Sequence, residues 1–460
     1  MVKVLACWLL NQREYCKEPA VFCLQTLQRS LGRQERRKLP LSIAEIQSVQ
    51  CNALFVLRFA LADGTMKSLR ADSSTTLQEA VHTFLDKVSI PFEFHALFRP
   101  FYAAGTRAGQ PTFKEITQCY AGEALYTIES QLEASRLSKD LSPRKLIPSD
   151  GERTQRMVIV MRQMYFINRL LPIQRPVLYN NLYHQLYGDF LKGTLICGLD
   201  DAIKLSSIHA QFTMSDQRKE QTYEPAEFIP NKLWKLLSPS EWKSKIQTQH
   251  LFHLGTSRDS AARTFVHHCQ ALSFWGSWIC EATVVNSMDW PSLQQEVELQ
   301  LLVSEDGIAL YSLNLTQMLI RFDFHLLLQW KTKCEGTEGE YMEISIANYE
   351  HSLSVRPLNR SCSQLQEMLQ GYWRVLLEHS PFAEALEDHR PDEPNSNNWD
   401  LLPFRKGDVI RVLSVNEGNG WEFGELNGVF GNYPMKLVNH TLFASPEQLS
   451  SRNLVSVDTG

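Results

Sequence analysis

The sequence predicts a multidomain α+β protein, and three observations predict it. At 460 residues the chain is long enough for three or four compact domains. Its hydrophobic period switches from two to helical and back to two, which marks unlike elements in succession. Polar segments at 135–153 and 387–398 separate the periodic stretches. Hydrophobic residues make up 43% and charged ones 21%, so several cores can be buried.

Residues 1–50 read as a helix followed by a basic stretch. Val21, Leu24, Leu27, Gln28 and Leu31 form a helical stripe, Gly32 ends it, and Leu39-Pro40 opens a turn. Arg29, Arg33, Arg36, Arg37 and Lys38 then crowd five positive charges together. The plain reading is a solvated face; the alternative is a patch for an acidic partner or a lipid headgroup. Phe55, Leu57, Phe59 and Leu61 alternate up to Asp63-Gly64, a hairpin turn signal, and a second strand runs through Leu69. Thr75 or Thr76 then caps a helix with Leu77, Ala80, Val81, Phe84 and Leu85 on one face. Hairpin followed by helix is how a ubiquitin-like fold begins.

From 154 to 280 the pattern is that of a helical bundle. Leu178, Leu182, Leu186 and Phe190 stand four apart, Tyr179, Tyr183 and Tyr187 line the neighbouring row, and Gly193 terminates the helix. Ser257 caps a later helix with Ala261, Ala262, Phe265, Val266, Cys269 and Leu272 facing inward. From 296 the period returns to two: Val297, Leu299, Leu301 and Val303 alternate, and Asp306-Gly307 turns the chain into Ile308 and Leu310. Further strands follow through Met342, Ile344 and Ile346, then Leu353 and Val355. Ser363 and Gln366 read as the capping box of a closing helix that buries Leu365, Met368, Leu369, Tyr372 and Leu376. Strands sealed by one C-terminal helix suggest a pleckstrin-homology-like (PH-like) sandwich. After the polar linker, short strands occur at Asp408–Leu413, Trp421–Glu425 and Gly428–Asn432, and a Ser-rich tail ends the chain.

Several function classes are excluded. Net charge is −5, so no global field recruits nucleic acid. Ten scattered cysteines, with no C-x-x-C pair, match neither a disulfide framework nor a zinc site and read as a reducing compartment. Met1–Leu10 echoes a signal peptide but has no small-residue cleavage site before Arg13, and no run reaches the ~18 apolar residues of a membrane span. The chain is therefore expected in the cytoplasm. The phosphate-cradling G-x-x-x-x-G-K-[ST] loop is absent, as are G-x-G-x-x-G, G-x-S-x-G and H-E-x-x-H. His250, His253, His267, His268 and Cys269 come nearest to a metal cluster, but adjacent residues on a helix point apart, so these are expected to be structural. No catalytic residue, metal or cofactor is expected.

Particular stretches resemble a known family. Leu182-Tyr183-His184-Gln185 with Asp189-Phe190-Leu191-Lys192-Gly193 is similar to the central helix of the FERM domain. His250-Leu251-Phe252-His253-Leu254, Ala261-Ala262 and Cys269 to Gly276 resemble the last helices of its second lobe, and Trp330 with Gly371 to Leu376 the end of its third. Cys23 to Arg29 and Leu39 to Ile46 resemble the end of a MyTH4 domain; Leu402 to Ile410, Gly420-Trp421 and Gly431-Asn432-Tyr433-Pro434 resemble SH3. MyTH4, FERM and SH3 in this order look like the tail of a class VII or class XV unconventional myosin.

The resemblance implies a FERM clover followed by a small SH3-like β-barrel. Residues 1–50 would be a MyTH4 remnant, 52–134 the ubiquitin-like lobe, 154–280 the helical lobe and 281–380 the PH-like lobe. A linker would cover 381–398, the SH3-like unit 399–440 and a flexible tail 441–460. The SH3-like unit lacks an Ala-Leu-Tyr-Asp-Tyr-like opening before Trp399, and its usual groove tyrosine falls near Leu437. The implied function is non-catalytic binding of cargo or adaptor proteins. Actin would be reached only through a motor domain that these residues do not contain. Gln366, Gln370 and Arg374 on the outer face of the third lobe's helix, with Trp421 and Pro434 of the SH3-like unit, are the candidate partner-binding residues. The alternative is a peripheral FERM linker binding acidic phospholipid and membrane-protein tails through basic surface.

Overall fold

The computed structural model describes residues 38–50, 53–107, 110–117, 120–137, 158–167, 176–216, 225–230, 232–286, 293, 297–334, 339–346, 349, 351–379, 382–390, 401–416 and 420–442. They fall into two compact units, Met1–Met164 with Leu170–Trp275, and Tyr165–Arg169 with Gly276–Gly460.

In the first unit a short helix, α1 (Ile43–Gln50), leads into the hairpin of β1 (Phe55–Ala60) and β2 (Met66–Ala71). The hairpin turns at Gly64, whose φ of +87° is strained for any residue with a Cβ. Thr76 caps α2 (Leu77–Lys87) with Glu79 reciprocating, and the five apolar residues expected on its inner face are all buried. With β3 (Phe98–Arg107), β4 (Gln110–Glu115) and β5 (Ile159–Gln163) the sheet order is β2-β1-β5-β3-β4. The helix α3 (Ala121–Leu137) follows β4. Its Glu123 accepts the Lys38 and Leu39 backbone N–H groups, and its Glu129 those of Ile43 and Ala44. The segment entering the lobe is thereby tied down.

Strand β5 corrects the reading that the helical lobe opens at 154. It lies between β1 and β3, parallel to β1 (Phe59 opposite Ile159), and completes the first sheet. Five residues are too few to separate a two-residue period from a helical one, and the partners of β5 lie far away in sequence.

The helical lobe is built from α4 (Pro176–Lys192), α5 (Leu199–Met214), α6 (Pro239–His250) and α7 (Arg258–Gln270). Gly193 stops α4 at φ +69°. Ser257 caps α7 by accepting the Ser260 N–H, and the expected inward residues are buried. The tyrosine row on α4 is a packed face: Tyr183 and Tyr187 stack near His209, the Tyr187 and His209 ring centroids being 3.7 Å apart.

The second unit contains a seven-stranded antiparallel sheet in the order β10-β11-β12-β6-β7-β8-β9. Its strands are β6 (Trp278–Asn286), β7 (Glu298–Ser304), β8 (Gly307–Ser312), β9 (Met318–Asp323), β10 (Leu327–Cys334), β11 (Glu340–Ile346) and β12 (Leu353–Pro357). The helix α8 (Cys362–His379) buries Leu365, Met368, Leu369, Tyr372 and Val375; Leu376 is half-buried. Its cap is not Ser363 with Gln366. The Gln364 N–H donates to Ser361 Oγ (3.2 Å) and the Ser361 N–H to Gln364 Oε1 (3.1 Å). The sequence offers two overlapping S-x-x-Q frames, and burial of Cys362 in the first turn selects the earlier.

A five-stranded sheet, β16-β15-β14-β13-β17, completes the second unit. It contains β13 (Phe382–Ala385), β14 (Val409–Asn416), β15 (Trp421–Leu426), β16 (Val429–Pro434) and β17 (Val438–Leu442). Strand β13 falls in residues read as linker, so the barrel opens at 382, not 399. Its four residues are too short to show a period, yet Ala383 and Ala385 enter the core with Leu402, Phe404, Ile410 and Tyr433.

Candidate partner-binding site

The motif that resembles the FERM central helix has a structural task. On α4, Asn181, Gln185 and Asp189 are four residues apart and share one face. Asn181 Oδ1 accepts the Ala62 N–H (2.8 Å). Gln185 accepts the Gln163 N–H (2.9 Å) and donates back to its carbonyl (2.8 Å). Arg162 Nη2 donates to both Asp189 oxygens (2.7 and 2.8 Å). Three polar side chains thus fasten the helical lobe to β5 and to the turn that follows β1.

The third lobe's sheet has two edge strands, β9 and β10, and β10 is the one beside α8. Among the described strands β10 pairs with β11 alone, so its other side offers unpaired backbone groups. Helix α8 runs beside it. Thr332 Oγ1 donates to Gln366 Oε1 (3.2 Å), and Trp373 packs on Phe324 just ahead of β10 (centroids 6.2 Å apart). Strand numbers rise as helix numbers fall, so the two elements run antiparallel. The helix contributes Gln366, half-buried, and Gln370 and Arg374, both exposed. Sequence reasoning missed Trp373, which meets Phe430 of the SH3-like sheet at 5.6 Å between centroids. Contact from another domain leaves no local signal.

On the SH3-like sheet Trp421 and Pro434 are direct partners across β15 and β16, and Trp421 is 38% exposed. These two candidates come together. The expectation that no Ala-Leu-Tyr-Asp-Tyr-like opening precedes Trp399 is corrected: Ala385-Leu386-Glu387-Asp388-His389, following β13, takes its place, with Glu387 and His389 at the ring positions. Asp388 accepts the Lys406 N–H, which lowers its pKa. His389 lies between Phe404 and Trp421 (5.2 and 6.4 Å), and burial lowers its pKa. Leu437 packs toward the core, not outward as a ring would.

Of the basic patch only Lys38 is described, and it is exposed; Arg29, Arg33, Arg36 and Arg37 lie outside the described residues. The histidines have structural partners. His250 bonds Gln211 (2.9 Å), His253 bonds Ser207 (3.2 Å), and His268 meets Asp201 (3.1 Å). Burial lowers the pKa of both His250 and His253. Among the described residues no group of His, Cys, Asp or Glu is arranged to hold a metal, and no helix is long and apolar enough to cross a membrane.

Comparison with known proteins defines the class. Residues 169–279 match the FERM central domain and residues 382–440 the variant SH3 domain. Relatives that it matches over most of its own length are myosins. It is 21% identical to the Myosin-I heavy chain of Dictyostelium discoideum over 91% of this chain and 17% of that protein. It is 20% identical to Unconventional myosin-VIIb of Mus musculus over 88% of this chain and 18% of that one. The chain thus spans less than a fifth of the length of these relatives. The fold matches the Dictyostelium discoideum Myosin VII MyTH4-FERM MF2 domain with a TM-score of 0.57, at 13% identity, over 81% of this chain and 70% of that one. The human Myosin 7b C-terminal MyTH4-FERM domain, solved in complex with the harmonin-a PDZ3 domain, gives 0.54 at 17% identity, over 79% and 69%.

Proposed function

We propose that this chain is a cytoplasmic cargo- and partner-binding tail module of an unconventional actin-based myosin, linking a motor to cytoskeletal or membrane-associated partners. The observation that carries the reading is the open β10 edge flanked by α8. An extended peptide adds to such an edge through main-chain hydrogen bonds, while side chains of the flanking helix select its sequence. Gln366, Gln370 and Arg374 line that flank. The human Myosin 7b relative, solved with a PDZ domain on it, supports protein partners for this class of tail.

The test is capture of a cargo protein by the full chain and by Arg374→Glu. The substitution reverses an exposed charge, which alters partner electrostatics more than folding. Capture should weaken while the melting temperature stays within about 2 °C, since exposed substitutions change stability by roughly 0.5 kcal/mol or less. Unchanged capture, combined with loss on disrupting the first or second lobe alone, would move the site elsewhere. The positive run Arg29–Lys38 favours a second reading, in which the chain sits on acidic phospholipid. Co-sedimentation with phosphatidylserine vesicles but not phosphatidylcholine vesicles, lost on neutralising those charges, would support it.

A further inference from the structure

We propose that Cys334 and Cys362 form an oxidation-sensitive dithiol whose disulfide clips the end of β10 to the first turn of α8. The bond itself is independent of the partner-binding reading; only its consequence for peptide capture rests on that reading.

Placement of the two thiols follows from the antiparallel run of strand and helix. Thr332 on β10 touches Gln366 on α8. Two residues further along β10, on the same face of the strand, stands Cys334; one turn back along α8, on the same face of the helix, stands Cys362. Two strand residues advance about 6.6 Å and four helical residues about 6 Å, so the two cysteines keep step. Cys334 is exposed and Cys362 is 3% exposed; both are free. In the proposed pair the exposed Cys334 meets the oxidant first and the buried Cys362 resolves it.

The chemistry balances with a peroxide as oxidant. The Cys334 thiolate attacks hydrogen peroxide, giving the sulfenic acid and hydroxide. Cys362 then attacks the sulfenic sulfur, forming the disulfide; water leaves with the Cys362 proton. Burial, with Glu340 nearby, pushes the Cys362 thiol up to about 11. The resolving step is therefore slow near neutrality and accelerates about tenfold per pH unit below that value. The disulfide would tether β10 beside Thr332 and Gln366 and close that end of the groove to an added strand.

The full chain would be treated with one to a few equivalents of hydrogen peroxide at pH 7 and pH 8.5, alkylated, digested with trypsin and analysed by mass spectrometry. Cleavage after Lys333, Arg360 and Arg374 leaves each cysteine alone in its peptide. The expected product joins 334–360 to 361–374, vanishes on reduction and forms about tenfold or more faster at pH 8.5. Cys334→Ser, a surface change, should abolish it; Cys280→Ser should not, although Cys280 also lies near Cys362. Over-oxidation of Cys334 to the sulfinic acid with Cys362 still alkylatable would overturn the proposal, as would equal yield of the link in urea. If the link forms but cargo capture is unchanged, the dithiol stands and the control of the groove falls.

Discussion

Replacing Gly371 by alanine should destabilise the third lobe, although the same change in an ordinary helix interior is favourable. Gly371 lies within α8, where alanine gains about 1 kcal/mol over glycine. Here a Cβ would stand 2.5 Å from Tyr165 Cε1 and closer still to the ring's hydroxyl end. That ring cannot retreat. Tyr165 is 2% exposed and meets Tyr372 edge-on at 5.1 Å between centroids. Tyr372 is pinned in turn by donating its hydroxyl to the Gly276 carbonyl (2.6 Å). Forcing extra volume into such a site costs ~3 kcal/mol, so after the helical gain the net loss is about 2 kcal/mol. For a unit of this size that lowers the melting temperature by roughly 4–8 °C. Urea unfolding followed by intrinsic fluorescence measures the change. Tyr165→Leu in the same chain removes the obstructing ring end, so adding Gly371→Ala to it should cost less than 1 kcal/mol. A Gly371→Ala variant as stable as the parent, or a penalty that survives Tyr165→Leu, would refute the steric account.

Three more outcomes are expected. Asp189→Ala leaves Arg162 half-buried without its carboxylate and should cost about 2 kcal/mol; a double-mutant cycle with Arg162→Ala should show ~1 kcal/mol of coupling, and strict additivity would count against the lobe clamp. His209 is held neutral by burial, its pKa lowered to about 3. Its contribution is complete above the unfolded value of 6.5 and is lost as pH falls, at about 1.4 kcal/mol per pH unit between 6.5 and 3; urea titrations from pH 7 to 5 should show that slope, and His209→Gln should flatten it. The SH3-like groove keeps Trp421 and Pro434 but has Glu387, His389 and Leu437 where rings are expected, so P-x-x-P peptides should bind more weakly than about 1 mM by calorimetry; micromolar binding abolished by Trp421→Ala would contradict this.

Local chemistry made much of the fold legible. The Asp63-Gly64 hairpin, the Thr76 cap, the Gly193 stop and the Ser257 cap each depend on a few adjacent residues, and each is where the sequence places it. The buried faces of α2, α4 and α7 follow from a 3.6-residue period that short-range spacing reports. Failures came where partners were distant or frames degenerate. Strands β5 and β13 are four or five residues long and become strands through partners elsewhere in the chain. The α8 cap had two equivalent frames, and burial chose between them. For the candidate site, Gln366, Gln370 and Arg374 were readable as an outer helical face, but Trp373 was not, because its partner Phe430 comes from another domain.

What the sequence determined by itself was composition, period and punctuation: a multidomain α+β chain with FERM-like and SH3-like stretches in a fixed order. The tertiary structure alone decided which strands close each sheet and that Asn181, Gln185 and Asp189 fasten one lobe to another. It also decided that β10 is left as an edge strand beside α8. The physical reason is one of range. Helical faces, turns and caps are set by neighbours within about four residues, whereas sheet order and lobe contacts pair groups that meet only after the loops between them have closed.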